Sequence, residues 1–207
     1  MIKKNCGSEL LIPKSEWVPE KQIQGAEVKT LYSPIIQKAF DRILEDFKPS
    51  HDVCLVSLCS STRPYSKSRK WKKFKELFAD SCDLIICSNG GIIPIQYEEC
   101  YPYMTYDAHG EKMYDEVYIR ITAQRLLKFF ELKHYKRIVF NFRPKLRNRK
   151  AALIFKDQFK GGSEIIIVPT VEAYRKDKEE QFAPSGGRYP DLAENCLLEI
   201  EHSVMKK

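Results

Sequence analysis

The residues best suited to chemistry are concentrated just after residue 58. Residues 59–65 hold one thiol (Cys59), four hydroxyls and the guanidinium of Arg63. A cysteine beside basic residues and backbone amides near a helix start has its thiolate favoured, as a nucleophilic cysteine requires. We therefore expect Cys59 to be a nucleophile, with a buried structural thiol as the alternative. A Cys–His pair would need a distant histidine such as His109.

Two further polar segments follow along the chain. In residues 88–91, Gly90 and Gly91 would let a ligand approach the backbone closely, although a tight turn is the alternative. In residues 98–111, Glu98 and Asp107 are candidates to engage an amine or take its proton. Tyr106 and its neighbouring tyrosines could stack on a base, with a place in the core as the alternative.

Short apolar runs alternate with amphipathic stretches along most of the chain. The runs predict strands at residues 53–57, 83–88, 137–142 and 164–168, and the stretches predict helices at residues 33–47, 67–78, 113–134, 148–159 and 191–204. This alternation predicts an α/β fold with a mainly parallel sheet of at least four strands and helices on both faces. Parallel strands place their carboxyl ends at one edge, so the polar tips at residues 59–63, 88–91 and 141–143 should converge there.

The length of 207 residues predicts one α/β domain. We expect an irregular segment at residues 1–32, with short edge strands around residues 10–12 and 27–32, and a mobile loop at residues 174–190. The sequence has no apolar run long enough to span a membrane and no secretory pattern. Seven cysteines without a CxxC pair, and four scattered histidines, favour reduced thiols in a cytoplasmic protein with no metal centre or cofactor.

The net charge of +7 is concentrated in two blocks. Residues 63–75 contain seven Lys or Arg and no acid, and residues 133–150 contain eight and no acid. Such blocks suit a polyanion, usually nucleic acid, although a solvated basic face is the alternative. The candidate RNA-binding residues are Lys67, Arg69, Lys70, Arg143, Arg147 and Arg149.

The first two polar segments together resemble a known family. The chain reads Leu58-Cys59, three residues, Arg63-Pro64-Tyr65, two residues, Ser68, two residues and Trp71, followed by Ser88-Asn89-Gly90-Gly91, Glu98, Tyr101-Pro102 and Tyr106-Asp107. This is similar to the core of archaeosine synthase, an archaeal tRNA-modifying enzyme related to tRNA-guanine transglycosylases. The family pattern is Pro-Cys, three residues, Lys-Pro-Tyr, two residues, Ser, two residues and His. The resemblance covers about residues 53–145.

The resemblance implies a three-layer α/β sandwich similar to uracil-DNA glycosylases. It also implies a substrate, tRNA bearing 7-cyano-7-deazaguanine in its D-arm, to whose nitrile the family adds lysine. A thiolate can add to a nitrile to give a thioimidate, which an amine then displaces. The implied partners are tRNA, a radical enzyme that completes archaeosine, and a transglycosylase-like or PUA-containing chain, because 207 residues are too few for those regions as well.

The resemblance also assigns roles around Cys59. Ser60, Ser61 and Arg63 would hold the base or a phosphate, and the binding set is completed by Tyr65, Ser68, Asn89, Gly90, Gly91 and Tyr106. The motif's proline, lysine and histidine are replaced here by Leu58, Arg63 and Trp71. The last two replacements favour an alternative, a non-catalytic tRNA-binding paralogue or accessory subunit, whereas the intact Cys59, Pro64-Tyr65 and Ser68 favour the enzyme. A DNA glycosylase is a third reading, supported by fold analogy alone.

Overall fold

The computed structural model describes residues 11–24, 31–106, 115–181 and 193–206. Its strands are β1 (Val53–Leu58), β2 (Asp83–Ser88), β3 (Gly91–Pro94), β4 (Arg137–Asn141) and β5 (Glu164–Val168). Its α-helices are α1 (Pro34–Asp46), α2 (Arg69–Phe78), α3 (Asp115–Leu132), α4 (Arg147–Gln158), α5 (Val171–Gln181) and α6 (Glu194–Met205). None of the helices within these ranges is long and apolar enough to cross a membrane.

The five strands form one sheet in the order β3-β2-β1-β4-β5. Strand β1 is central, and it pairs in parallel with β2 and with β4, which itself pairs in parallel with β5. In this register Ser57 lies opposite both Ile86 and Asn141, so β1, β2 and β4 end at the same edge. The predicted parallel sheet of at least four strands is confirmed.

The helices cover both faces of the sheet, as predicted. The connection from β1 through α2 to β2 runs in one direction along the sheet, whereas those through α3 and α4 run in the other. Right-handed crossovers therefore place α2 on one face and α3 and α4 on the opposite face. Helix α1 contacts β3 on the α3 side, and α6 contacts β1, β4 and β5 on the α2 side. The result is an α/β sandwich of three layers.

Strand β3 is not among the strands predicted from the sequence. It pairs antiparallel with β2 through a turn at Asn89-Gly90. Gly91 has a φ of +134°, a backbone conformation that residues with a side chain rarely adopt, so glycine is needed where β3 begins. Pro94 is tolerated as the last residue of β3 because this strand forms the edge of the sheet.

Two other expectations were wrong. The mobile loop predicted at residues 174–190 is helical up to Gln181 as part of α5, and residues 182–192 lie outside the described residues. The side chain of Thr170 accepts a hydrogen bond from the N–H of Ala173 (3.1 Å) and so caps this helix. The described parts of the predicted N-terminal strands, residues 11–12 and 31–32, form a turn, a bend and a helix end instead.

Candidate active site

Cys59 lies at the carboxyl edge of the sheet, one residue beyond β1. Its backbone N–H donates to the carbonyl of Cys87 on β2 (3.0 Å), which continues the sheet pairing past the end of β1. Its side chain is partly exposed, whereas Cys54, Cys82 and Cys87 are buried. The thiol of Cys59 is therefore both fixed at the sheet edge and reachable from solvent.

The carbonyl that precedes Cys59 is held from helix α2. The ammonium of Lys70 donates to Leu58 O (2.9 Å), and the indole N–H of Trp71 donates to the same oxygen (3.1 Å). Ser68 forms the N-cap of α2 by accepting a hydrogen bond from Trp71 N–H (3.4 Å). The residues that follow Ser68 thus connect the first turn of α2 to the start of the loop formed by residues 59–67, which we call the cysteine loop.

Arg63 joins this loop to the second polar segment. Its guanidinium donates to the hydroxyl of Tyr65 and to the carbonyl of Tyr103 (3.0 Å). It also lies over the rings of Tyr65 and Tyr106, at 5.0 and 4.5 Å from their centroids. The cation therefore contacts both tyrosines through hydrogen-bonding and cation–π geometry.

The two tyrosines continue a chain of hydroxyl groups to β2. The hydroxyls of Tyr65 and Tyr106 are 3.0 Å apart, and Tyr106 is also hydrogen-bonded to the Ser88 hydroxyl at the end of β2. Ser88 Oγ accepts from Gly90 N–H (3.2 Å). Both rings are buried. The segments at residues 59–65 and 88–106 therefore meet through Arg63, Tyr65, Tyr106 and Ser88.

Burial and charge fix the protonation of this network. Burial raises the pKa of Tyr65, Cys59 adds to the rise, and Arg63 opposes it. Burial also raises the pKa of Tyr106 well above its ordinary value, with Tyr65 and Cys59 contributing. For Arg63, burial acts to lower the pKa, but the two tyrosines outweigh it and the pKa is raised. At neutral pH the site holds a cation and two neutral phenols, which can donate hydrogen bonds or a proton.

Gly90 is required by the packing of Tyr106. A Cβ atom at residue 90 would lie 2.9 Å from Tyr106 Cζ and 3.1 Å from its Cε1, which is closer than real Cβ contacts. Asn89, beside it, is held by Arg125 of α3, whose guanidinium donates to the Asn89 carbonyl (2.9 Å) and to the Leu31 carbonyl (2.5 Å). These contacts favour the tight-turn interpretation of the glycine pair over close approach of a ligand to its backbone.

Arg125 was missed by the sequence analysis although it carried a signal. It stands four residues after Ile121 on the buried side of α3, a position where apolar residues are typical. Its exposed fraction is 7%, and burial lowers its pKa. Asn148 of α4 was also missed; it donates to the Tyr118 hydroxyl (2.8 Å) and to Cys87 Sγ (3.4 Å). Burial raises the pKa values of both Cys87 and Tyr118, and Cys59 adds to each rise.

Of the two predicted acidic residues, Glu98 lies within the described part of the chain. Glu98 is buried, and its carboxylate accepts a hydrogen bond from Ser66 N–H (2.7 Å), which stabilises the loop before α2. Asp107 lies outside the described residues. The hydroxyl of Ser60 donates to Thr62 O (3.0 Å), and Ser61 is exposed.

The third strand tip also reaches the sheet edge. Asn141 at the end of β4 is buried, and its amide donates to Ser57 Oγ on β1 (3.3 Å). Its Oδ1 has no hydrogen-bond partner among the described residues. The tip of β4 thus adjoins β1 next to the cysteine loop.

The predicted RNA-binding residues differ in how far they are exposed to solvent. Lys67 and Arg69 are exposed at the start of α2. Lys70 is 7% exposed and bonded to Leu58 O, so its ammonium faces inward. Arg149 donates to the carbonyls of Phe142 (2.7 Å) and Pro169 (2.8 Å), which indicates a structural role. The two remaining arginines are partly buried: Arg147 pairs with Asp115 (3.2 Å), and Arg143 follows β4.

This chain is similar to known proteins over part of its length. Two curated relatives are Archaeosine synthase of Haloferax volcanii, 26% identical over 61% of this chain, and Archaeosine synthase subunit alpha of Thermoplasma acidophilum, 32% identical over 41% of it. The matched segments are 22% and 18% of those proteins, so the chain spans about a fifth of the curated relatives it matches.

A crystal structure shows the same fold. AF0587, a protein of unknown function, superposes with a TM-score of 0.56 at 17% identity, over 81% of this chain and 50% of that one. The model of a family described as a domain of unknown function (DUF5591) matches residues 36–172, which include β1, the cysteine loop and the Ser88–Tyr106 segment. The chain belongs to the DUF5591 family.

Proposed function

We propose that this chain acts in tRNA modification, where it adds an amine to the nitrile of a 7-cyano-7-deazaguanine nucleotide. The observation that carries the proposal is that Cys59, bonded through its N–H to Cys87 O, lies at the same sheet edge as a hydrogen-bonded group of side chains. This group consists of Arg63, Tyr65, Tyr106 and Ser88. Two relatives named as archaeosine synthases support this substrate class.

The chemistry requires two steps at one carbon. The Cys59 sulfur adds to the nitrile carbon, and the nitrile nitrogen takes up the thiol proton to give a thioimidate. The amine then attacks the same carbon, the carbon–sulfur bond breaks, and an amidine and the free thiol are formed. Atoms and electrons balance without an oxidant or a metal. A radical enzyme partner would act on this product afterwards, and a transglycosylase-like or PUA-containing partner would supply further tRNA contacts.

The tyrosine pair and Arg63 would assist at the nitrogen. Tyr65 and Tyr106 remain protonated because burial raises the pKa of each, and Arg63 remains charged beside them. A neutral donor next to a cation stabilises the negative charge that develops on nitrogen as sulfur adds. We assign this role to the tyrosines instead of to Glu98, whose carboxylate is bonded to Ser66 N–H.

The test is a nucleoside assay with the whole chain. tRNA carrying 7-cyano-7-deazaguanine is incubated with lysine and the protein, and digested nucleosides are weighed by mass spectrometry. The wild type should give a nucleoside heavier by the mass of lysine. Cys59→Ala should abolish this product while leaving the fold intact, because a partly exposed loop thiol contributes little packing. Activity retained by Cys59→Ser would rule out covalent catalysis, since serine is a far poorer nucleophile at neutral pH.

A second candidate is a non-catalytic tRNA-binding subunit. Trp71 favours it, because this residue is fully buried and its ring has no acid–base group where the family pattern has histidine. Intact-protein mass spectrometry separates the two. A thioimidate adduct on the wild type, absent from Cys59→Ala, supports the enzyme; tRNA binding with no adduct and no lysine product supports the subunit.

A further inference from the structure

A groove with four cationic side chains lies between α2 and α6. It has a volume of about 480 Å³ and is lined by Lys67, Arg69, Lys72, Lys73, Glu76 and Leu197. Arg69, Lys72, Lys73 and Glu76 follow the spacing i, i+3, i+4 and i+7, so they share one face of α2. We call this feature the α2–α6 groove.

The groove has more cations than acids, with four Lys or Arg side chains and one carboxylate among its lining residues. Lys73 pairs with Glu76 at 3.6 Å, and Glu76 is the one acid that lines it. Lys67 and Lys72 are exposed and form no ion pair within the described part of the chain. A furrow along α1 differs, because its cations Lys38 and Arg42 pair with Glu16 and Glu45. A concave surface with an excess of cations attracts a chain of phosphates.

The second basic block is divided between the two edges of the sheet. Lys136 and Arg137 lie at the amino end of β4, the edge opposite to Cys59, and pair with Asp52 and Glu164 (2.6 Å each). At the carboxyl edge, Arg149 is bonded to two backbone carbonyls. The two blocks look alike in sequence, but the fold disperses the second over both edges and engages much of its charge internally.

The groove leads to the candidate site. Helix α2 begins at Arg69, beside Lys67, and its first turn contacts the carbonyl of Leu58 through Lys70 and Trp71. Leu58 immediately precedes Cys59. A nucleic-acid strand whose phosphates bind along α2 would therefore reach the sheet edge where the thiol is partly exposed.

We propose that the α2–α6 groove binds the RNA phosphate backbone and presents a nucleotide to Cys59. This inference rests on the proposed function, which supplies RNA as the polyanion, and it assigns the RNA to the α2 face of the sheet rather than to the α4 face. Lys72 and Lys73 become phosphate-contacting residues.

The test measures binding of a fluorescent, unmodified tRNA transcript to the full chain by anisotropy. Salt is varied between about 50 and 200 mM, because each phosphate contact adds about 0.7–0.9 to the slope of log K against log salt. The double variant Lys72→Ala/Lys73→Ala should bind about tenfold more weakly and lose roughly 1.5 from that slope. Lys75→Ala is the matched control, since Lys75 is exposed on the same helix but does not line the groove.

A second readout tests the position of the RNA. Bound tRNA should slow iodoacetamide alkylation of Cys59 in the wild type, and the double variant should need about tenfold more tRNA for the same protection. If the double variant binds tRNA with the affinity and salt slope of the wild type, the assignment of phosphate binding to the α2–α6 groove is refuted, whereas the proposed function is not. tRNA that binds in the groove without protecting Cys59 would refute the placement. A wild type that binds no tRNA would overturn both, and preference for duplex DNA of equal length would overturn RNA as the ligand.

Discussion

Substitution of Gly90 by alanine tests whether Tyr106 is as tightly enclosed as the structure indicates. The added Cβ would lie 2.9 Å from Tyr106 Cζ, whereas carbon atoms in contact prefer about 3.5–4.0 Å, so the ring must move by about 0.6 Å. Cζ carries the hydroxyl that is bonded to Tyr65 and Ser88. Overpacking costs about 1–3 kcal/mol and one weakened buried hydrogen bond about 1 kcal/mol, so we expect a loss of about 2–4 kcal/mol of unfolding free energy.

Urea denaturation followed by circular dichroism measures this loss. Gly162→Ala is the control, because no atom lies within 4 Å of the added Cβ, and it should be neutral or stabilising by about 0.4–1 kcal/mol. In a Tyr106→Leu background, which removes the ring, Gly90→Ala should cost at least about 1 kcal/mol less than in the wild type. A Gly90→Ala protein within about 0.5 kcal/mol of the wild type would refute the reasoning.

Two further predictions concern the buried acid of α5 and the order of thiol reactivity. Asp177 accepts hydrogen bonds from the N–H groups of Asn195 and Cys196 at the start of α6; burial acts to raise its pKa, but these donors outweigh it and the pKa is lowered. The stabilisation by the ionised Asp177 is therefore present above the unfolded-state pKa of about 3.9 and is lost as pH falls through the folded-state value. Asp177→Asn should lower the free energy of unfolding by about 1 kcal/mol at neutral pH and by less in acid, because the wild type loses this stabilisation there. Urea titrations at several pH values measure the difference, and a difference that does not change with pH would contradict the prediction. Iodoacetamide should modify Cys59 before Cys87, whose pKa burial raises to about 12, and peptide mass spectrometry that finds Cys87 modified first would contradict the exposed placement of Cys59.

The sheet could be predicted from sequence because buried parallel strands have a distinctive pattern. Strands such as β2, with the sequence DLIICS, are apolar on both faces and too short for a helix. Strand β3 could not be predicted in this way, since it has four residues and ends in Pro94. Its presence depends on Gly91, whose positive φ is visible only in the backbone. Helix α5 was not predicted because its sequence is highly charged and therefore resembles that of a loop.

The candidate site was predictable as a meeting of segments but not as a set of contacts. The rule that parallel strands end at one edge predicts that the cysteine loop and residues 88–91 lie close together. It could not indicate that Lys70 would turn inward to the Leu58 carbonyl, because lysine is almost always a surface residue. The sequence also made Glu98 a catalytic candidate and Tyr65 a binding residue, whereas the carboxylate is bonded to a backbone N–H and the phenol lies in the hydroxyl network.

Trp71 stands where the family pattern has histidine, and its contacts indicate which properties of a histidine it retains. Its indole N–H donates to the Leu58 carbonyl at 3.1 Å, and its ring is buried edge-on to Phe74 at 5.7 Å. A histidine there could donate a ring N–H to the same oxygen, so tryptophan preserves a hydrogen bond that orients the residue before Cys59. It does not preserve a group that can exchange a proton near neutral pH. In the proposed reaction Trp71 therefore cannot act as an acid or a base, and the groups that we assign to the charge developing on nitrogen are the Tyr65 and Tyr106 hydroxyls beside Arg63.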